Sequence, residues 1–271
     1  MMKPDSYKIS FAVFPVLIFV ILGCSNLGRF TQSGNTTSSN STTSDKNKSD
    51  TSGAVSSICN NAYYPVGENT VRKYRVTYPK GTLTEREYTE TFSDFTGDTF
   101  VVNTDFDKVK AHINWKCTPD GLLATQYNNT VNMTKTGGSA SVETKDFSGV
   151  TLPPEDRWQS GEKWQAEYHV TESLNGLDGK QAGGGDGIVT QNGEIVGSES
   201  VTVPAGTFDT MKAVLKTEVD ITVTMKGMSI PMKVPIETTA YFAKGTGMVK
   251  SVTKMGSGIG DATSELLSIG K

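Results

Sequence analysis

The chain has 271 residues, 35% hydrophobic and 8% aromatic, and its 26 Lys and Arg against 29 Asp and Glu give a formal net charge of −3. That acidic balance excludes the basic footprint that nucleic-acid binding calls for. With two histidines and three cysteines, there is little material for a histidine-based catalytic triad or for a zinc site of several Cys and His ligands.

Lys3 and Lys8 flank a short charged start, and the stretch from Ile9 to Leu22 is apolar apart from Ser10, the layout of a secretory signal. The apolar run is short of the ~20 residues a transmembrane helix needs. Ile21-Leu22-Gly23-Cys24 resembles the bacterial lipobox, in which cleavage precedes the cysteine and a diacylglycerol is attached to its sulfur. The resemblance implies a signal peptide over 1–23 and an acylated Cys24, palmitate-like chains included, as the first mature residue and the link to a lipid bilayer. The alternative is an ordinary cleaved signal with Cys24 as a passenger thiol, and the position of the cysteine at the end of the apolar run favours lipidation. Buried acyl chains contribute ~0.8 kcal/mol per CH2, and stable attachment needs more than one chain. Ser25, rather than Asp, follows the cysteine, which by resemblance to Gram-negative lipoproteins implies the outer membrane where the organism has two membranes.

Residues 24–57 are mostly Ser, Thr, Asn, Gly, Lys and Asp, with Leu27, Phe30 and Val55 among the few large apolar residues. Such a segment cannot offset its ordering entropy by burial. It predicts a flexible tether with a root-mean-square span of ~30 Å, and a folded domain over 58–271.

In that domain the dominant period is two. Tyr74, Val76 and Tyr78 alternate with Lys73, Arg75 and Thr77, and Val109, Ala111, Ile113 and Trp115 alternate with Lys110, His112, Asn114 and Lys116, as half-buried strands do. An internal repeat near residue 152 is suggested by Gly67-Glu68 with Tyr74, Val76 and Thr77, matched at the same offsets by Gly161-Glu162 with Tyr168, Val170 and Thr171; coincidence explains these matches equally well. Val203-Pro204-Ala205-Gly206 has the proline and glycine placement of a type I turn and predicts a hairpin. From Met211 to Met225 the odd positions are apolar save Thr217, a strand approaching ~50 Å if straight, and so one that bends across a curved sheet. Gly227 and Pro231 predict a turn over Lys226 to Pro231, after which Met232, Val234, Ile236, Ala240 and Phe242 form the buried set of a returning strand. The fold class is mainly β, a large antiparallel curved sheet forming a half-barrel or an open barrel after the tether.

With Cys24 acylated, Cys59 and Cys117 remain as a pair in an oxidising compartment. Cys117 shares the parity of Ile113 and Trp115 and so points to the core, which makes Cys59 and Cys117 the candidate disulfide. His112 and His169 lie on the polar side of their alternations, which argues for solvated roles and against an enzyme. Gly183-Gly184-Gly185-Asp186-Gly187 lacks the Lys-Ser/Thr ending of a phosphate loop and the repeated acids of a calcium loop, and is expected to be a surface loop. Met225, Met228 and Met232 suit Cu(I) by softness, but serve as apolar filler on the buried faces. Glu155, Asp156, Glu162 and Glu167 could pair for glycoside hydrolysis only across a cleft, and are expected to be solvated charge. No motif implies a cofactor or a metal.

Tyr63-Tyr64-Pro65-x-Gly67, Val203-Pro204-Ala205-Gly206-Thr207-Phe208-Asp209 and Tyr241-Phe242-Ala243-Lys244-Gly245-x-Gly247-Met248-Val249-Lys250 resemble motifs of bacterial exported lipoproteins similar to the TapB group and related domains of unknown function. The likeness is fullest over Gly193 to Thr253; at the start Val71 stands where that family usually has tryptophan. It implies an exported β domain like the LolA, LolB and LppX half-barrels, and carries no catalytic residues. Two functions stay open: a carrier whose concavity holds a lipid or other hydrophobic ligand, and an interaction module that contacts another envelope protein. The anchor has a direct check: metabolic labelling with a fatty-acid analogue is expected to mark the wild-type protein and to leave Cys24→Ala unlabelled.

Overall fold

The computed structural model describes residues 56–79, 85–106, 110–127, 131–133, 138–175, 181–225, 227–255 and 260–270. The predicted signal, Cys24, nearly all of the predicted tether and Val109 of the 109–115 alternation lie outside them. Among the described residues thirteen strands form one sheet: β1 Val71–Thr77, β2 Arg86–Thr96, β3 Thr99–Asp105, β4 Lys110–Thr118, β5 Gly121–Ala124, β6 Val131–Met133, β7 Gly138–Gly149, β8 Lys163–Asn175, β9 Gln181–Val203, β10 Gly206–Met225, β11 Met228–Ala243, β12 Gly247–Met255 and β13 Gly260–Gly270. Ser57–Cys59 and Glu155–Arg157 are single 3-10 turns. Every ladder between these strands is antiparallel.

The order is β5-β4-β3-β2-β1-β13-β12-β11-β10-β9-β8-β7-β6. Strands adjacent in sequence are thus adjacent in space, except at two places: β1 pairs with β13, and the consecutive strands β5 and β6 lie at opposite edges. This is a meander wrapped into a nearly closed barrel, with its seam between β5 and β6. Beyond the end of β7 the seam is bridged. Leu122 N donates to Leu152 O at 2.9 Å and Leu152 N returns to Leu122 O at 3.0 Å, while Ala124 N donates to Thr151 Oγ1 at 2.8 Å. Gly121 has φ +136°, and a Cβ there would lie 2.2 Å from Leu152 O; only glycine allows this approach.

Period two places one side chain in two on the inner face. In β10 the buried positions from Ala213 to Val223 include Thr217, Val219 and Ile221. Those in β8 are Trp164, Ala166, Tyr168 and Val170. The matched residues Tyr74 with Tyr168, and Val76 with Val170, are all buried on β1 and β8. Polar inner-face groups pair across strands, as Thr238 does with Thr253 and Tyr88 with Ser264, each at 3.0 Å.

The predicted hairpin at 203–206 exists, and it does more than turn the chain. Ile195 pairs with Ala213 and Gly197 with Lys212, so Val196 is an extra residue in β9, a bulge that rotates the buried side. Past it, Val201, Val203 and Phe208 pack on Tyr74, Tyr88, Val249 and Leu266, and Ala205 N donates to Leu266 O at 3.1 Å. The hairpin curls over the inner face of β1, β2, β12 and β13 and fills it.

Two expectations are corrected. Gly183–Gly187 is not a surface loop but part of β9: Cβ atoms at Gly183 and Gly185 would meet the carbonyl oxygens of Thr224 and Thr222 at 2.7 and 2.5 Å, so the glycines permit close strand approach. The turn after β10 is tighter than Lys226 to Pro231, since β11 begins at Met228 and Pro231 lies inside it, opposite Thr222. From Met228 to Pro235 this strand pairs with β10 while the β12 ladder starts at Ile236. A proline is compatible with such an edge because its missing N–H faces away from the ladder.

At Gly193 a Cβ would fall 2.1 Å from Trp164 Cε2, and the indole is held in place by Trp164 Nε1 donating to Thr151 O at 2.8 Å. Gly193→Ala is therefore expected to destabilise the barrel by ~1–3 kcal/mol, read as a lower urea midpoint at unchanged slope; an unaltered midpoint would show that the indole is free to move.

Candidate functional site

The two ends of the barrel differ, and the difference starts from one charged residue on an inner face. Alternation on β1 puts Arg72 beside Tyr74 and Val76, and on β2 it puts Glu90 between Tyr88 and Phe92. Arg72 is fully buried. Its Nη1 donates to Glu90 Oε1 at 2.7 Å, its Nε to Thr246 O at 3.0 Å, and its Nη2 to Pro65 O. The guanidinium carbon lies 5.2 Å from the Tyr64 ring centroid and 4.9 Å from that of Phe92. Burial pulls the Arg72 pKa down, but Glu90, Tyr74 and Tyr64 together outweigh it, and the value is raised. Burial first, then the Glu90 carboxylate, pushes the Tyr64 hydroxyl well above its ordinary range.

Around this pair a strap, residues 57–66, closes one end. Cys59 is bonded to Cys117 of β4, with both cysteines buried. Asn61 Nδ2 donates to Pro153 O at 2.9 Å, and Gly245 N donates to Ala62 O at 2.7 Å. Tyr63 stacks on Trp158 at 4.6 Å and Tyr64 on Trp115 at 5.5 Å. The opening motif at Tyr63-Tyr64-Pro65 and the closing one at Tyr241–Lys250 thus meet at Arg72. Among the described residues this end is packed.

The opposite end is unfilled. Inner-face positions there are Val170, Glu172 and Leu174 of β8, Val219, Ile221, Val223 and Met225 of β10, and Met228, Ile230, Met232 and Val234 of β11, with Val142 of β7 beside Glu172 and Tyr127 against Tyr168. Between β8 and β10, β9 contributes only glycine at 183, 185 and 187. Leu174, Met225, Met232 and Val234 are half-buried, while Met228 and Ile230 are 64% and 50% exposed. Glu172 Oε2 is buried and has no hydrogen-bond partner, and burial raises the pKa of its carboxyl. The mouth is an apolar surface with one carboxyl. Two open grooves, of about 550 Å³ around Gly183–Gly185 and about 750 Å³ between Lys216 and Lys254, are lined largely by polar outer-face residues.

The residues weighed from sequence fall in different places. His112 and His169 are exposed on β4 and β8, and His169 Nε2 lies 3.4 Å from Glu167. Glu155 accepts from Ala62 N at 3.1 Å and pairs with Lys244 at 3.3 Å, and Glu162 pairs with Arg157, so these acids hold the strap and its neighbours rather than face one another. Met225, Met228 and Met232 all belong to the mouth. Arg72, Glu90 and Glu172 went unnoticed in the sequence; the available signal was a charge at an apolar position of a period-two run. Among the described residues no group of three or more His, Cys, Asp or Glu is placed to hold a metal ion, and no helix is long and apolar enough to cross a membrane.

The DUF3108-like family model matches residues 103–257, more than half of the chain. The matched segment contains the 203–209 hairpin and the 241–250 motif and leaves out Tyr63-Tyr64-Pro65. No curated protein matches. Similar solved structures include a candidate lipoprotein of Parabacteroides distasonis ATCC 8503, with 13% identity over 77% of this chain and 98% of that one and a TM-score of 0.46. A candidate exported protein with a YmcC-like fold from Bacteroides fragilis NCTC 9343 has 13% identity, coverage of 78% and 100%, and a TM-score of 0.43. The hypothetical lipoprotein YmcC of Escherichia coli K12 has 8% identity, coverage of 74% and 84%, and a TM-score of 0.34.

Removing one partner of a buried ion pair strands the other, at ~3–5 kcal/mol. Arg72→Met is expected to lose that much in urea unfolding, and Arg72→Met with Glu90→Leu to regain most of it. A double variant as unstable as the single one would mean that the bonds to Pro65 and Thr246, not the charge pairing, hold the strap.

Proposed function

The chain belongs to the DUF3108-like family, and from that premise we infer a non-enzymatic lipoprotein of the bacterial cell envelope, held at a membrane by acylated Cys24. Its barrel takes a lipid chain or another apolar ligand at the open mouth. The observation that carries this reading is the contrast between the two ends. One is filled by aromatic rings and the curled hairpin, while the other leaves Met228 and Ile230 exposed in continuity with the half-buried Leu174, Met225, Met232 and Val234. Apolar surfaces with a few polar groups are what small-molecule sites are made of, and methionine adapts to varied shapes.

The anchor reading rests on the sequence at Ile21-Leu22-Gly23-Cys24 and the polar tract behind it. Delivery to the outer membrane follows from Ser25 if the organism has one. An enzyme is disfavoured because the two histidines are exposed and Glu155 and Glu162 are engaged in separate ion pairs.

A second reading, an interaction module, is favoured by the openness of the mouth, which a protein surface could cover as well as a lipid. Pro231 and Pro235 remove backbone donors from the free edge of β11, so that such a partner would meet side chains rather than add a strand.

The uncharged fluorophore N-phenyl-1-naphthylamine is expected to brighten on binding the protein, and Met232→Asp to weaken that binding about tenfold or more. No brightening at high micromolar probe would sink the carrier reading and leave the interaction module.

A further inference from the structure

Glu172 is the one charged side chain on the inner face of the mouth among the described residues. Its neighbours on β8 at the same parity, Val170 and Leu174, pack into the apolar cluster, and Val142 and Gly185 lie opposite it on β7 and β9. Its Oε2 atom is buried without a hydrogen-bond partner. A buried acceptor left unpaired carries its full desolvation cost. A ligand that brings a donor to it offsets that cost, whereas a ligand that brings a second carboxylate adds like-charge repulsion in a poorly solvated place. Glu172 also lines the open groove of about 550 Å³ around Gly183–Gly185, where a small head group has room.

Resting on the reading of the mouth as a ligand site, we propose that it selects single-chain amphiphiles with an ammonium head, whose N–H groups pair with Glu172 while the chain runs along Val223, Met225 and Met232 toward Ile230. Anionic amphiphiles of the same length are rejected. Burial alone holds the free carboxyl toward its neutral form. Because the ammonium pairs with the ionised form, binding of the amine weakens as pH falls through the raised Glu172 pKa toward the ordinary carboxylate range, and neutral amphiphiles show no such change.

The test is native mass spectrometry of the full-length protein released from detergent in the presence of equimolar dodecylamine, dodecanol and dodecanoate. The expected result is an amine adduct about tenfold more abundant than the dodecanoate adduct. That preference should be lost in Glu172→Gln and retained in Glu172→Asp, with circular dichroism confirming that both variants are folded. Equal amine and dodecanoate adducts, or a preference that survives Glu172→Gln, overturn the selectivity while leaving the mouth a ligand site. Adducts of none of the three overturn the ligand site and the selectivity together.

Discussion

The buried guanidinium of Arg72 is the interaction on which the shape of the molecule depends. Its three nitrogens are engaged by three separate parts of the chain: Glu90 on β2, Thr246 in the β11–β12 turn, and Pro65 in the strap. Gly247, with φ +97°, lets the guanidinium lie close, since a Cβ there would be 3.0 Å from its central carbon. A cation sealed from water is costly unless every donor has a partner. The same requirement makes the arrangement specific, because displacing any one segment leaves a donor unmet. The aromatic faces of Tyr64 and Phe92 add attraction and turn the site into a packed plug.

The sealed end explains why the other end stays open. A sheet of thirteen strands encloses more space than its own inner side chains fill, as the growth of barrel diameter with strand number requires. Two additions take up the space, and both sit away from the mouth. The strap brings Tyr64 against Trp115 and Phe92, and the β9–β10 hairpin brings Val201 and Val203 against Val249 and Leu266. Nothing comparable among the described residues reaches Met225, Met228 and Ile230. The chain around them is the free ends of β8 to β11, where the glycines of β9 add no volume.

How much of this could be read in the sequence follows from the range of each interaction. Period two is local, so the parity of Tyr74, Cys117, Tyr168 and Val219 was legible, and with it the β class and the Cys59–Cys117 pair. The bulge at Val196 is set by register with β10, and no short window reveals it; the alternation of 211–225 therefore misses the reversal of the buried side at Thr210. The Gly183–Gly187 stretch has turn-like composition, yet its meaning lies in the approach of the Thr222 and Thr224 carbonyls, more than thirty residues away in the chain. Glu172 and Arg72 were visible as charges, but whether such a residue snorkels out or is buried depends on the wall opposite.

The disulfide makes the asymmetry of the barrel durable. Cys59 and Cys117 are 58 residues apart, and closing a loop of that length restricts the unfolded chain by ~4 kcal/mol in the chain-entropy account. In the native state the bond also joins the first turn of the described chain to β4, ahead of Tyr63 and Tyr64. A strap held only by hydrogen bonds and ring stacking would open on its own, as segments near chain ends do. Held covalently as well, it cannot leave without taking β4 with it. Among the described residues the other end, with exposed side chains and one-sided pairing from Met228 to Pro235 on β11, has no comparable fastening.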